Sequence, residues 1–300
     1  MKNSKLAEKY RVDEGKSFRL KDFDPAETAK SLSKEKAEEL LQRDIAELAD
    51  LQDQLYAQDQ WGVLLIVQAM DAAGKDGLIK HVMSGVNPQG VRVSSFKQPS
   101  SEELNHDFLW RAASRLPERG MIGIFNRSYY EEVLVVRVHQ ELLAKQHLPP
   151  QLVSKKVWEE RMEDMCRFES YLNRNGIVVR KFFLNLSKEE QRTRFLKRLE
   201  EPEKNWKFSD ADVHERQCWG DYMGAYEEMI QQTATPHAPW YVVPADHKWF
   251  TRLVIGSAII ETLKDLKLSY PKVDPARHKA LEAARAELKS NHAHKPKNVR

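Results

Sequence analysis

Asp71, Lys75 and Asp76 follow an unbroken apolar run, Val63-Leu64-Leu65-Ile66-Val67, and are set into the small-residue turn Ala72-Ala73-Gly74. An apolar strand that passes through a tight turn into a helix start directs backbone N–H groups and a positive helix end at one point, which is the chemistry of anion capture. Lys75 adds a point charge there, so the stretch reads as a phosphate-binding loop. Against the pattern Gly-x4-Gly-Lys-Ser/Thr, Ala69 stands in place of the first glycine, and Asp76 in place of the hydroxyl that would hold Mg²⁺. Asp71 and Asp76 flank the lysine, so metal binding is expected to have moved onto these two carboxylates. Taken alone, the degenerate loop also reads as an ordinary strand-to-helix turn with surface charges.

A second group follows the apolar run Met121-Ile122-Gly123-Ile124-Phe125: Asn126-Arg127-Ser128-Tyr129-Tyr130-Glu131-Glu132. In phosphate-loop enzymes the end of the neighbouring strand faces the phosphates and usually carries a carboxylate that orients the metal or its waters. Asn126 brings no charge, which increases the expected role of Asp71 and Asp76. Arg127 is placed to neutralise a phosphoryl group in transfer. Basic residues recur near predicted strand ends and helix starts (Lys75, Lys80, His81, Arg92, Lys97, Arg127, Arg137) and again at Arg192, Arg194, Lys197, Arg198, Lys204 and Lys207. Two such groups around a phosphate loop point to a polyanionic substrate, against the commoner fate of charge as a solvated face. His106, His139, His214, His237 and His247 form no ligand-spaced cluster.

These residues need a scaffold. The chain has 300 residues, enough for one main domain, with 41% hydrophobic and 31% charged residues. A net charge of +3, scattered among acids, does not imply nucleic acid. No apolar run reaches the roughly 18 residues of a membrane span, and Met1-Lys2-Asn3-Ser4-Lys5 has no apolar signal core behind it, so a cytoplasmic protein is expected. Cys166 and Cys218 suggest neither a disulfide nor a zinc site.

Residues 1–30 read as a polar arm that wraps the surface, and Ser31 to about Leu55 as an amphipathic helix. Five short apolar runs (Val63–Val67, Val91–Val93, Met121–Phe125, Gly176–Leu184 and Trp240–Val243) alternate with helices at about 76–86, 102–116, 129–143, 152–175, 187–200, 212–232 and 248–267. That alternation predicts a doubly wound α/β sandwich on a five-stranded parallel sheet, with ligands at the carboxyl ends of the strands. The stretch 200–209 interrupts two helices and suits a mobile lid, taken as 188–216. Residues 271–300 read as a charged helix and basic tail.

Seven segments in order carry a resemblance: Asp71-Ala72-Ala73-Gly74-Lys75-Asp76-Gly77, Gly85-Val86-Asn87-Pro88-Gln89-Gly90, Ser95-Phe96-Lys97, His106-Asp107-Phe108-Leu109-Trp110-Arg111, Phe125-Asn126-Arg127-Ser128-Tyr129-Tyr130-Glu131, Lys204-Asn205-Trp206-Lys207-Phe208-Ser209 and Ala238 to Asp246. Together they resemble family-2 polyphosphate kinases over residues 8–270. The resemblance implies a P-loop kinase-like three-layer α/β/α sandwich with a helical lid, the kinase domain occupying 31–270. It implies reversible transfer of the terminal phosphoryl group of inorganic polyphosphate to a nucleotide, with Mg²⁺ or alternatively Mn²⁺ and no covalent enzyme intermediate, in a homodimer or homotetramer. Asp71, Lys75, Asp76, Asn126 and Arg127 would then line the reaction centre. The Asn126-to-Glu131 pattern looks most like the class that accepts both AMP and ADP, with Glu131 at a position associated with that breadth; guanine nucleotides remain open.

The expected screening of two polyanions falls to Lys75, Lys80, His81, Arg127, Lys181, Arg194 and Arg198, beside loop residues Ala72, Ala73, Gly74 and Gly77. Asp107 and Arg111 are expected at the base or ribose, and Trp206 to move on ligand binding. Phe108 and Trp110 are read as core. An ATP-dependent nucleoside monophosphate kinase, or a polyphosphate-binding module without chemistry, are the competing functions.

Overall fold

In the computed structural model, which describes residues 6–29 and 32–292, one sheet runs through the molecule. Its strands are β1 (Arg11–Val12), β2 (Gly62–Ala69), β3 (Val91–Ser95), β4 (Ile122–Asn126), β5 (Ile177–Asn185) and β6 (Trp240–Pro244), in the spatial order β1-β6-β5-β2-β4-β3. The five predicted runs all become strands and pair in parallel. The sheet has six strands rather than five because part of the N-terminal arm, read above as wrapping the surface, enters it: Arg11 and Val12 pair antiparallel with Tyr241 and Trp240. A two-residue strand carries no periodicity from which it could be read.

Helices cover both faces, which is what a parallel sheet of nearly continuous apolar strands requires. They are α1 (Lys34–Gln58), α2 (Lys75–Val82), α3 (Val157–Arg174), α4 (Lys188–Glu200), α5 (Asp210–Glu215), α6 (Trp219–Thr233), α7 (Lys248–Asp265) and α8 (Pro275–His292). Alternation along β2 divides the core in two. Val63, Leu65 and Val67 pack with Leu48 and Leu55 of α1, Leu78 and Val82 of α2, and Val254 and Ala258 of α7. Leu64 and Ile66 pack with Met162 and Met165 of α3 and Tyr226 and Met229 of α6. Helix α1 starts on Ser33, whose hydroxyl accepts from Lys36 N at 3.3 Å. Helix α8 is exposed along its described side chains. Among the described residues no helix is long and apolar enough to cross a membrane. The expectations for Met1–Lys5 and for the tail beyond residue 292 lie outside the described residues.

Two predicted helices are broken. The stretch 102–116 forms two short turns, Ser101–Leu104 and Trp110–Ala113, because the Asp107 carboxylate accepts from Leu109 N at 2.9 Å and diverts the backbone between them. The stretch 129–143 becomes tight turns at Tyr129–Glu132 and Gln140–Gln146 around Val135–Val138, the first of them started by Ser128.

Lys181 corrects a further expectation. It lies on β5 with its side chain fully buried and lines neither of the two cavities described below, so it is not placed to meet phosphate there. Its ammonium donates to Glu169 Oε2 at 2.6 Å, the Thr233 carbonyl at 2.7 Å and Tyr130 Oη at 3.1 Å. The hydroxyls of Tyr129 and Tyr130 donate to the other oxygen of Glu169 at 2.8 and 2.7 Å. Burial pushes the ammonium below its usual range and the Glu169 carboxylate pulls the other way. The charges are satisfied inside the core, and removing one strands the other. Lys181→Met is expected to lower stability by about 3–5 kcal/mol in denaturant unfolding. The double variant Lys181→Met, Glu169→Gln should recover much of the loss, and a single-variant cost within error of zero would contradict this role.

Candidate active site

The strand register brings the chemistry-bearing loops together. Val67 of β2 lies opposite Asn126 of β4, and Ser95 of β3 lies opposite the same residue, so β3 and β4 end at one level and β2 runs two residues past it. The loop after β2 then turns through two left-handed positions, Ala72 (φ 64°) and Gly74 (φ 98°), before α2 begins at Lys75. Glycine adopts such a φ freely, but an alanine there is strained and persists only where its surroundings hold it. Arg194 of α4 is the holder. Its guanidinium is buried and donates to the carbonyls of Ala72 (3.1 Å), Ala73 (2.9 Å), Ala245 (2.7 Å) and Asp246 (2.9 Å), while Nε donates to Glu190 at 2.7 Å. Gln191, three residues before on the same helix, donates to the Asp71 carbonyl at 3.1 Å. Arg194 therefore lines the site by shaping the loop, with its donors committed to backbone.

Lys75 folds back over the strand end and donates to the Ala69 carbonyl at 3.0 Å. Burial pushes its ammonium below the usual range, and Asp71 opposes that shift. Asp76 accepts from the Asn126 amide at 2.6 Å, which joins two of the positions where this chain departs from the usual phosphate-loop enzyme. Arg127 also sits at a left-handed φ of 63°, with its N–H on the Val67 carbonyl at 3.0 Å. From there its guanidinium reaches Asp71 at 2.9 Å and Glu131 at 3.4 Å. Glu131 and then Asp71 hold the Arg127 charge in place against its burial. Burial raises the Glu131 carboxyl above its usual range, and Arg127 and Lys75 counter it.

Two cavities meet at Arg127. The larger, about 750 Å³, contains the loop from Asp71 to Gly77, with Asn126, Arg127, Arg194, Arg198 and Trp206. Lys97, Lys197, Lys204, Lys248 and Arg252 add further positive charge, and Asp212 faces in from α5 in an ion pair with Arg198 at 3.6 Å. The smaller, about 340 Å³, is lined by Phe96, Phe108, Tyr129, Val135 and Leu142 together with Asp107, Arg111, Glu131 and Glu132. Phe96, Lys97, Gln98 and Arg127 border both.

Most of the expected residues are thus brought together: the loop, Asn126, Arg127, Arg194, Arg198 and Trp206 around one cavity, and Asp107, Arg111 and Glu131 around the other. Lys80 and His81 are not. They are exposed beyond the first turn of α2 and border neither cavity, with Arg252 and Lys80 adding repulsion to the burial that lowers the His81 pKa. Phe108, read as core, packs against the core and also lines the smaller cavity, and Arg161 stacks over its ring at 4.2 Å. Sequence reasoning missed Lys248, Thr251 and Arg252. The signal for them was their place just after β6, at the same strand edge as the loop. Asp212 and Glu132 carried no such signal.

A metal would meet a small donor set. Among the described residues no group of three or more His, Cys, Asp or Glu is arranged as a metal site. Asp71 and Asp76 both border the larger cavity, and each uses one carboxylate oxygen in a protein contact. Two carboxylates that leave the remaining positions to substrate oxygens and water suit Mg²⁺.

The sequence places this geometry among known proteins. The family profile of polyphosphate kinase 2 (PPK2) matches residues 31–271. An ADP-polyphosphate phosphotransferase of Rhodopseudomonas palustris is 52% identical, aligned over 93% of this chain and 97% of its own length. An AMP/ADP-polyphosphate phosphotransferase of Meiothermus ruber is 44% identical, over 90% of this chain and 98% of its own. The crystal structure of polyphosphate kinase 2 from Arthrobacter aurescens superposes with a TM-score of 0.83 at 39% identity, covering 93% of this chain and 96% of that one. The match extends across both cavities and the loops that border them, and the chain belongs to the polyphosphate kinase 2 family.

Proposed function

We propose that the protein is a polyphosphate-dependent nucleotide kinase that moves the terminal phosphoryl group of inorganic polyphosphate onto AMP and ADP, reversibly. The observation that carries this is the pair of unlike cavities joined at Arg127. Among the described residues the larger has nine Lys or Arg side chains against three Asp, a surplus suited to an extended chain of phosphates more than to one nucleotide. The smaller, with apolar walls and a few polar groups, suits a nucleoside. Asp107 and Arg111 border it and would meet base or ribose.

Transfer between two phosphates needs little covalent help: the reactants must be held in line and their charge neutralised. Lys75 and the loop would hold the donor end, and Arg127, at the junction, the group in transfer. Asp71 and Asp76 would hold Mg²⁺, which when bound supplies charge neutralisation between donor and acceptor oxygens. An acceptor phosphate is already ionised near neutral pH, so no strong general base is required. The relatives differ in their named acceptors, ADP for one and AMP or ADP for the other. Glu131 supports the broader choice here, because it is the carboxylate that shares Arg127 with Asp71 from the acceptor side. An AMP acceptor is one phosphate shorter, so its attacking oxygen reaches the junction only if the nucleoside shifts or the gap is filled.

Three outcomes are expected. AMP or ADP supplied with polyphosphate and Mg²⁺ should yield ADP or ATP without added ATP, and Lys75→Ala should lower kcat by about two orders of magnitude. Product formed only with ATP as donor would favour the monophosphate kinase, and tight polyphosphate binding without turnover a binding module. Asp71→Asn and Asp76→Asn should each raise the Mg²⁺ concentration for half-maximal rate; unchanged metal dependence in both would remove them as ligands. Glu131→Ala should reduce kcat/KM with AMP more than with ADP, whereas equal losses would leave Glu131 a structural role.

A further inference from the structure

Gln68 is the polar residue of an otherwise apolar strand, β2, and its side chain is fully buried. Its amide nitrogen donates to the Ser128 hydroxyl at 3.2 Å. Ser128 is itself tied to the same turn: its hydroxyl accepts from Tyr130 N at 3.1 Å, and its carbonyl accepts from Glu131 N at 3.1 Å. The neighbouring Val67 carbonyl accepts the Arg127 N–H. Two consecutive residues of the central strand therefore grip the first two residues of the Arg127-to-Glu131 turn.

The grip is costly to the fold. The Gln68 carbonyl oxygen is buried with no hydrogen-bond partner among the described residues, a state that native cores avoid. An aliphatic side chain of similar length would fit the strand pattern and leave nothing unpaired. Neither Gln68 nor its orphaned oxygen borders a cavity, so the residue does not touch substrate. What it touches is the one turn that presents Arg127 and Glu131 to the junction.

We infer that Gln68 is a positioning residue for acceptor choice: through Ser128 it holds the turn that sets the carboxylate of Glu131 against Arg127, and thereby sets the arrangement in which AMP reacts. The inference rests on the reading of Glu131 given above. A side chain kept for packing and one kept for orientation respond oppositely to replacement by an apolar isostere, since the first loses stability and the second loses selectivity.

The test uses Gln68→Met, with Gln68→Leu as a second variant, Glu131→Gln, and the double variant Gln68→Met, Glu131→Gln. Melting temperature and kcat and KM for AMP and for ADP are measured, with polyphosphate and Mg²⁺. Gln68→Met or Gln68→Leu should match or exceed the parent in melting temperature, while the ratio of kcat/KM for AMP over ADP falls by about tenfold, the upper end of the scale of one neutral hydrogen bond. The fall should lie in kcat, and it should vanish when Glu131 is already Gln, because the two act as one unit. A selective Glu131→Gln beside unselective Gln68 variants would overturn the role of Gln68 alone. Unselective Glu131→Gln would overturn the reading of Glu131, and a Gln68 effect that persists beside it would show that Gln68 does not act through that carboxylate. Lower melting temperature with equal losses for both acceptors would make Gln68 a packing residue.

Discussion

Four backbone carbonyls converge on one guanidinium, that of Arg194, and the anion site depends on this convergence. In a trans peptide the C=O and N–H point in opposite directions, so a loop that must turn its amides toward a phosphate must turn carbonyls elsewhere. Buried without partners, those carbonyls would be costly, and facing the ligand they would repel it. A cation with a rigid fork of donors satisfies them together and places positive charge behind the loop. The same contacts hold Ala72 in a conformation it would otherwise leave, and they tie the loop after β2 to the residues after β6.

The cleft carries a surplus of positive charge, but several of its cations are paired with acids. Arg127 is shared by Asp71 and Glu131, Arg198 by Asp212, and Arg194 by Glu190. Each acid holds a cation in a defined place. Asp212 makes the strain of this arrangement visible: burial raises its carboxyl, Asp71 across the cleft raises it further, and Arg198 offsets both.

The strands and the phosphate loop were legible in the sequence because both are local. Runs such as Val63–Val67 announce a buried strand, and Gly74-Lys75 after such a run allows few readings. Arg127 was found for the same reason, by its place after a strand. Lys181 was misread because alternation along a strand does not say whether a lysine faces a cleft or a buried carboxylate; its partner Glu169 is 12 residues away in sequence, on another element. Gln68 and Asp212 were invisible for a related reason, since their significance lies in contacts made across the fold. The two-residue β1 was too short to announce itself at all.

That strand has a consequence for the molecule as a colloid. Without β1, the outer side of β6 would present unpaired N–H and C=O groups along Trp240–Val243, one of the most apolar stretches of the chain. Such an edge is a template for other chains. Arg11 and Val12 occupy it, and Tyr10 anchors them by packing edge-on against Phe250 at 6.1 Å. The opposite edge, β3, needs no such cover, because Arg92 projects from it beside Glu118. The few residues of the arm thus act as a selvedge: they finish the fabric on the side where it would otherwise unravel into its neighbours.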